Sequence, residues 1–225
     1  MPRATPRPDK AVESRPVSSV ERAALRSARI AAREALPVSE HRRLSTAIEA
    51  HLCGLLESRP PRRLGFCWPI RGEFDCRPLV SRLIARGMQA GLPRVVTPDT
   101  ALTYCAWQPD SELLIDQYGI HYPADCRSLM PDVLLIPVNA FDAAGYRLGY
   151  GGGYFDRTLA KMAAQRMPPV TIGVGFELAR VASIFPAPHD IPVDAVVTEA
   201  GVEMISARLR DGDPWPGARS GEVRP

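Results

Sequence analysis

Residues 137–159 read PVNAFDAAGYRLGYGGGYFDRTL. Gly145, Gly149, Gly151, Gly152 and Gly153 fall between an apolar run at 133–138 and a helical pattern at 158–164. A strand, a glycine-rich turn and a helix together present backbone N–H groups to phosphate. Glycine permits the close approach and the positive φ that such a turn needs. Arg147 adds a planar charged fork. Asp156, at the expected helix start, can hold a magnesium ion against phosphate oxygens. The loop lacks the Gly-Lys-Ser/Thr of a Walker loop, and its spacing does not suit a dinucleotide fingerprint. By spacing alone, a plain turn is the competing account.

Three other groups have chemical potential. Arg22, Arg26, Arg29 and Arg33 recur at helical spacing and share one narrow face at about 100° per residue. Like charges this close repel unless something anionic compensates them. On spacing alone, a solvated face with acidic neighbours is slightly favoured. Glu73 follows a short apolar run, 64–68, in the loop PIRGEFD. Such a loop leaves the C-terminal end of a strand, where open α/β sheets bind ligands. Trp68 offers a flat aromatic wall beside it, although a core tryptophan would look the same. Asp190 and Asp194 lie near the end of the chain, and Asp194 reads as a structural cap.

The elements that must position these groups alternate. Residues 18–36 form a helix with Ser18 and Glu21 at capping-box spacing and with Leu25, Ala28, Ala32 and Leu36 as its apolar stripe. Residues 39–58 form a second helix, which ends before Pro60-Pro61. Strands are expected at 64–68, 92–96, 102–107, 133–138 and 170–176, and a crossover helix at 76–87. Strands alternating with helices argue for one α/β domain with a largely parallel sheet. That domain spans 18–210, between a Pro/Arg-rich disordered tail at 1–17 and a polar tail at 211–225.

Composition narrows the function. The chain has 225 residues, 45% of them hydrophobic and 24% charged, with a net charge of +3. That charge is too small to argue for nucleic acid, and no apolar run reaches membrane length. Lys10 and Lys161 are its only lysines, so the positive charge is nearly all arginine. The five cysteines show no metal spacing, and the odd count argues for reduced thiols in the cytoplasm.

The wording of the loop goes further. Phe141-Asp142, then GYRLG at 145–149, then Gly151 and GYFDR at 153–157 closely resemble the signature of the 5-formyltetrahydrofolate cyclo-ligase family, roughly FD-x-x-G-x-RLG-x-G-x-GYYD. The resemblance extends over about 22–199. The family's first helix reads K-x-x-L-R and contacts ATP phosphates, and RAALR at 22–26 matches it, with Arg22 in the place of lysine and Arg33 following. Glu73 matches a folate-binding glutamate, with Cys76 replacing the usual threonine. Asp190 matches a magnesium ligand. Tyr122 stands where many members have glutamate, and Ala179 where they have glutamine. His121 reads as a surface residue.

The resemblance implies a single domain with its active-site cleft at the C-terminal edge of the strands. The implied reaction is ATP-driven closure of 5-formyltetrahydrofolate to 5,10-methenyltetrahydrofolate. Arg147 and Asp156 would carry catalysis. Arg22, Arg26, Arg147, Gly149, Gly151, Gly152, Gly153 and Tyr154 would bind ATP. Trp68, Glu73, Tyr150, Tyr154 and Phe155 would bind the folate, and Asp156 and Asp190 the magnesium ion. The expected partners are these small molecules, with no nucleic acid and no membrane, for a cytoplasmic monomer. A different amide or carboxylate substrate on the same fold, or a non-catalytic nucleotide or folate binder, are the alternatives.

Overall fold

The computed structural model describes residues 19–210. Ser18 of the expected capping box and both expected tails lie outside them. The helices are α1 (Ser19–Glu34), α2 (Val38–Ser58), α3 (Arg77–Ala85), α4 (Tyr154–Ala164) and α5 (Ala207–Arg210). The strands are β1 (Arg63–Gly65), β2 (Gln89–Arg94), β3 (Thr103–Trp107), β4 (Leu113–Ile115), β5 (His121–Pro123), β6 (Val133–Pro137), β7 (Ala140–Phe141), β8 (Arg147–Leu148), β9 (Val170–Val174), β10 (Ala195–Thr198) and β11 (Gly201–Met204).

Seven strands form the main sheet in the order β11-β10-β9-β6-β1-β2-β3. The five central strands are parallel, and β11 and β3 close the two edges antiparallel. Strands buried on both faces read as continuous apolar runs, and β6 is the example. Its Val133 and Leu135 pack with Ile48 and Leu52 of α2 and Leu79 of α3. Its Leu134 and Ile136 pack with Leu159 and Met162 of α4 on the opposite face. The chain winds outward in one direction from β1 and in the other from β6. The carboxyl ends of those two neighbours therefore border the topological switch point, where a crevice opens in open α/β sheets. The loop bearing Glu73 leaves β1, and the glycine loop follows β6 through the short β7–β8 ladder.

Two expectations about the fold are corrected. Of the stripe Leu25, Ala28, Ala32 and Leu36, the two end leucines pack inward, but Ala28 and Ala32 are exposed. Instead α1 turns its arginines inward. Ile30 and Arg33 are buried, and Arg22, Arg26 and Arg29 are half-buried. Arginine stems pack like hydrocarbon while their heads find acceptors, so a basic stripe can be an inner face when carbonyls and carboxylates wait beneath it. The cysteines are not all reduced either. Cys105 of β3 and Cys126 form a disulfide, and Cys53, Cys67 and Cys76 are free. The pair meets because the chain after β5 returns along β3, with Ala106 N donating to Arg127 O and Leu129 N to Tyr104 O.

Candidate active site

The glycine loop is built to leave donors free. Gly151 and Gly153 have φ of 100° and 64°, the left-handed region that favours glycine. Gly153 is the N-cap of α4, and no side chain caps it. The first-turn N–H groups of α4, which have no helical acceptor, therefore sit beside the loop. Arg26 donates from Nε to Gly149 O at 2.6 Å, and Arg157 from Nη2 to Gly152 O at 2.5 Å. Burial lowers the pKa of Arg26, and the neighbouring Arg22 charge lowers it further. Two guanidiniums at one loop favour an anion between them.

Arg22 already has an anion. Its Nη1 and Nη2 donate to Asp190 at 2.5 and 3.1 Å, and Nη1 also donates to Phe185 O. Burial would raise the pKa of Asp190. The Arg22 hydrogen bond, the Ala187 N–H and the Arg22 and His189 charges outweigh it and hold the carboxyl below its ordinary value. This ion pair stabilises the fold above the usual aspartate range, and its contribution fades as pH falls through the depressed value. The expected phosphate ligand and the expected metal ligand thus hold each other.

Arg147 lies beneath the loop and is buried. It donates from Nη1 to Ile191 O at 2.5 Å and from Nη2 to Asp156 Oδ1 at 3.2 Å. Ile191 N donates to the same Oδ1 at 3.1 Å. Arg147 was expected to grip phosphate. In this structure its guanidinium is engaged by Ile191 O and orients Asp156. Asp156 Oδ2 carries no hydrogen bond among the described residues. Burial lowers the pKa of Arg147, and Asp156 and Asp190 counter it.

Across the crevice, Glu73 is buried. Its Oε2 accepts from Ile70 N at 3.0 Å and its Oε1 from the Tyr150 hydroxyl at 2.8 Å. Burial raises its pKa, against the Ile70 and Tyr150 hydrogen bonds and the Arg33 charge. Beside it is a small cavity of about 20 Å³ lined by Cys67, Phe74, Cys76 and Leu135, among others. Burial, with the Asp75 charge beside it, pushes the Cys76 thiol up to about 12. Cys76 is therefore packing and not a nucleophile.

The aromatic residues divide between two roles. Trp68 carries the His121 ring stacked at 4.7 Å and the Arg77 guanidinium at 4.1 Å. Its π system is engaged by the protein itself, and His121 is half-buried against it. Tyr154 shares a hydrogen bond with Tyr118 at 2.7 Å, at the tip of the β4–β5 hairpin. Phe155 is half-buried against the α4 core. Tyr122 lies under Arg94, and Ala179 is buried. Asp194 accepts from Thr171 and Arg208 and is structural. Sequence reasoning did not single out Asn139, whose Oδ1 accepts from Arg33 Nη1 at 2.8 Å. A lone asparagine in an apolar run has no signature. Among the described residues, no cluster of three or more His, Cys, Asp or Glu could hold a metal, and no helix is long and apolar enough to cross a membrane.

Comparison with known proteins places this geometry. A profile described as the 5-formyltetrahydrofolate cyclo-ligase family matches residues 18–199. The 5-formyltetrahydrofolate cyclo-ligase of Escherichia coli (strain K12) is 38% identical over 138 residues, covering 58% of this chain and 74% of that protein. The enzyme of the same description from Haemophilus influenzae is 30% identical over 155 residues, covering 65% and 81%. The NMR structure of Aquifex aeolicus 5,10-methenyltetrahydrofolate synthetase matches with a TM-score of 0.70 at 28% identity, covering 88% of this chain and 97% of that one. The chain is therefore an enzyme, a ligase with a single-domain α/β fold. It belongs to the 5-formyltetrahydrofolate cyclo-ligase family.

Proposed function

We propose that the chain catalyses ATP- and magnesium-dependent cyclisation of 5-formyltetrahydrofolate to 5,10-methenyltetrahydrofolate, as a cytoplasmic monomer. One observation carries the reading. A buried acceptor carboxylate, Glu73, and a glycine loop ringed by arginines meet at the switch point of the sheet, in direct contact through Tyr150. The formyl oxygen of the substrate is an amide oxygen and leaves poorly. Transfer of the γ-phosphoryl group to it releases ADP and makes an imidate-like phosphate. The folate N10 then attacks the activated carbon and gives up its proton to water, and phosphate departs with that oxygen. No protein nucleophile is required, so the side chains need only orient the reactants and offset charge.

The loop N–H groups and the α4 N-terminus would take phosphate oxygens, with Arg26 braced against Gly149. Arg22 would exchange Asp190 for phosphate. Glu73 would accept from the amino-pyrimidine edge of the pterin. Magnesium fits the site in part. It binds proteins through one or two carboxylates, with phosphate and water completing its shell, and the free Asp156 Oδ2 meets that need. Asp190 would join only on giving up Arg22. The ion would neutralise charge on the phosphates.

The direct test is to mix the purified chain with 5-formyltetrahydrofolate and Mg-ATP. Methenyl absorbance should appear only when both Mg²⁺ and ATP are present, with one ADP per product. Product formed without ATP consumption overturns the mechanism.

Arg22→Ala tests the first helix. The KM for ATP should rise roughly tenfold, about 1.4 kcal/mol, and the KM for folate should move much less. Arg29 would have been the natural control from spacing, but it donates to Leu178 O at 3.1 Å and is half-buried. Arg43, exposed and ion-paired with Glu40 on its own helix, is the better one. Equal small changes in Arg22→Ala and Arg43→Ala would remove Arg22 from the ATP site.

A further inference from the structure

Arg33 is the most buried of the α1 arginines, and its whole fork is used. Nε donates to Arg71 O at 3.0 Å in the loop that carries Glu73. Nη1 donates to Asn139 at 2.8 Å, just after β6. Nη2 donates to the Tyr150 hydroxyl at 3.1 Å in the glycine loop and lies 4.0 Å from Glu73 Oε1. A guanidinium has no lone pair, so the directions here are settled. The Tyr150 oxygen accepts from Arg33, and its single hydrogen goes to Glu73 at 2.8 Å. The Asn139 amide must turn its oxygen to Arg33, which leaves its Nδ2 buried with no acceptor.

Glu73 is thus aimed by two loops, its own through Ile70 and the glycine loop through Tyr150. Tyr150 is itself 42% exposed. Its hydroxyl, more than its ring, ties it to the core. On either side are glycines, whose backbone loses much freedom when ordered. A ligand that orders this loop supplies that ordering for the second ligand. The unpartnered Asn139 donor points the same way. A buried donor left unmatched is unfavourable, and Asn139 Nδ2 is such a donor at the junction of the two loops.

We propose that Arg33 and Tyr150 are positioning residues that couple the two ligand positions, so that phosphate seated on the glycine loop aligns Glu73 for the pterin and the pterin in turn steadies the loop. The proposal rests on the function given above. Such coupling is reciprocal and commonly exceeds about fivefold in affinity.

Calorimetry on the full chain tests it. The Kd for 5-formyltetrahydrofolate is measured with and without a saturating non-hydrolysable ATP analogue and Mg²⁺, and the ratio of the two is the readout. In the unaltered chain the ratio should be about fivefold or more. Tyr150→Phe should bring it close to one, whatever the separate affinities become. That variant loses one hydroxyl from a partly exposed ring and so should fold. Arg33→Lys keeps the charge but cannot reach three acceptors at once, and it should lower the ratio as well. General loosening of the fold would change both affinities and leave the ratio in place. A Tyr150→Phe ratio equal to that of the unaltered chain overturns the coupling. So does a ratio of one in an unaltered chain that binds both ligands. Failure of the unaltered chain to bind either ligand would overturn the proposed function, and the coupling with it.

Discussion

Asp156→Asn should lose about a hundredfold or more in turnover, at roughly 1.4 kcal/mol per decade, and excess Mg²⁺ should restore part of it. Asparagine keeps the shape of aspartate but has one acceptor oxygen and an amide donor group. Arg147 Nη2 and Ile191 N both donate to Oδ1, so the side-chain oxygen must stay there. The NH₂ group is then forced to the open Oδ2 position, where it turns a donor toward a cation. The variant also leaves the buried Arg147 guanidinium without its charged partner, which adds a loss of stability. A melting curve separates the two effects, because only the first responds to magnesium. Unaltered turnover at limiting Mg²⁺ would reduce Asp156 to a brace for Arg147 and the Ile191 backbone.

Glu73→Gln should weaken folate binding by about 2 kcal/mol, the scale of an unmatched buried polar group, and leave ATP affinity in the absence of folate nearly unchanged. In the native site both carboxylate oxygens accept from protein donors. A glutamine can satisfy one of them and must oppose the other. The pH dependence supplies an independent check. Burial raises the pKa of Glu73 above its ordinary value despite Ile70, Tyr150 and Arg33. As pH falls, folate binding should therefore be lost at a value above the usual glutamate range. In the same window, protonation of a buried carboxylate with a raised pKa favours the folded state, so loss of binding there is not unfolding. The glutamine variant should show no such step. Equal damage to both ligands would assign Glu73 to loop structure instead.

The glycine loop could be found in the sequence because its chemistry is local. Turn, charged fork and helix start fall within residues 145–156, and the long helix α2 was equally plain from its period. The inward face of α1 was misread because alanine contributes little apolar signal, while the hydrocarbon stems of arginine are invisible to a charge-based reading. The β4–β5 hairpin escaped notice because each of its strands has three residues, too few for an alternation to show. The Cys105–Cys126 pair spans 21 residues, and only the return of the chain along β3 brings its partners together. The Arg33, Asn139, Tyr150 and Glu73 junction joins four separate segments. No spacing rule links them, because the switch point of the sheet does.

The partners of α1 also bear on the order in which the chain is assembled. Arg33 reaches a residue 106 positions away, Arg26 one 123 away, Arg29 one 149 away and Arg22 one 168 away. Contacts so distant in sequence form late, because the intervening chain must close first. A ribosome releases α1 before any other described helix, yet Asp190 is synthesised near the end of the domain. Apart from the Arg33 bond to Arg71 O, the acceptors of the cationic face of α1 therefore become available only once β6 and the chain beyond it have been made. The first described element thus completes its contacts late, and Arg26 then braces the loop on which the proposed chemistry depends.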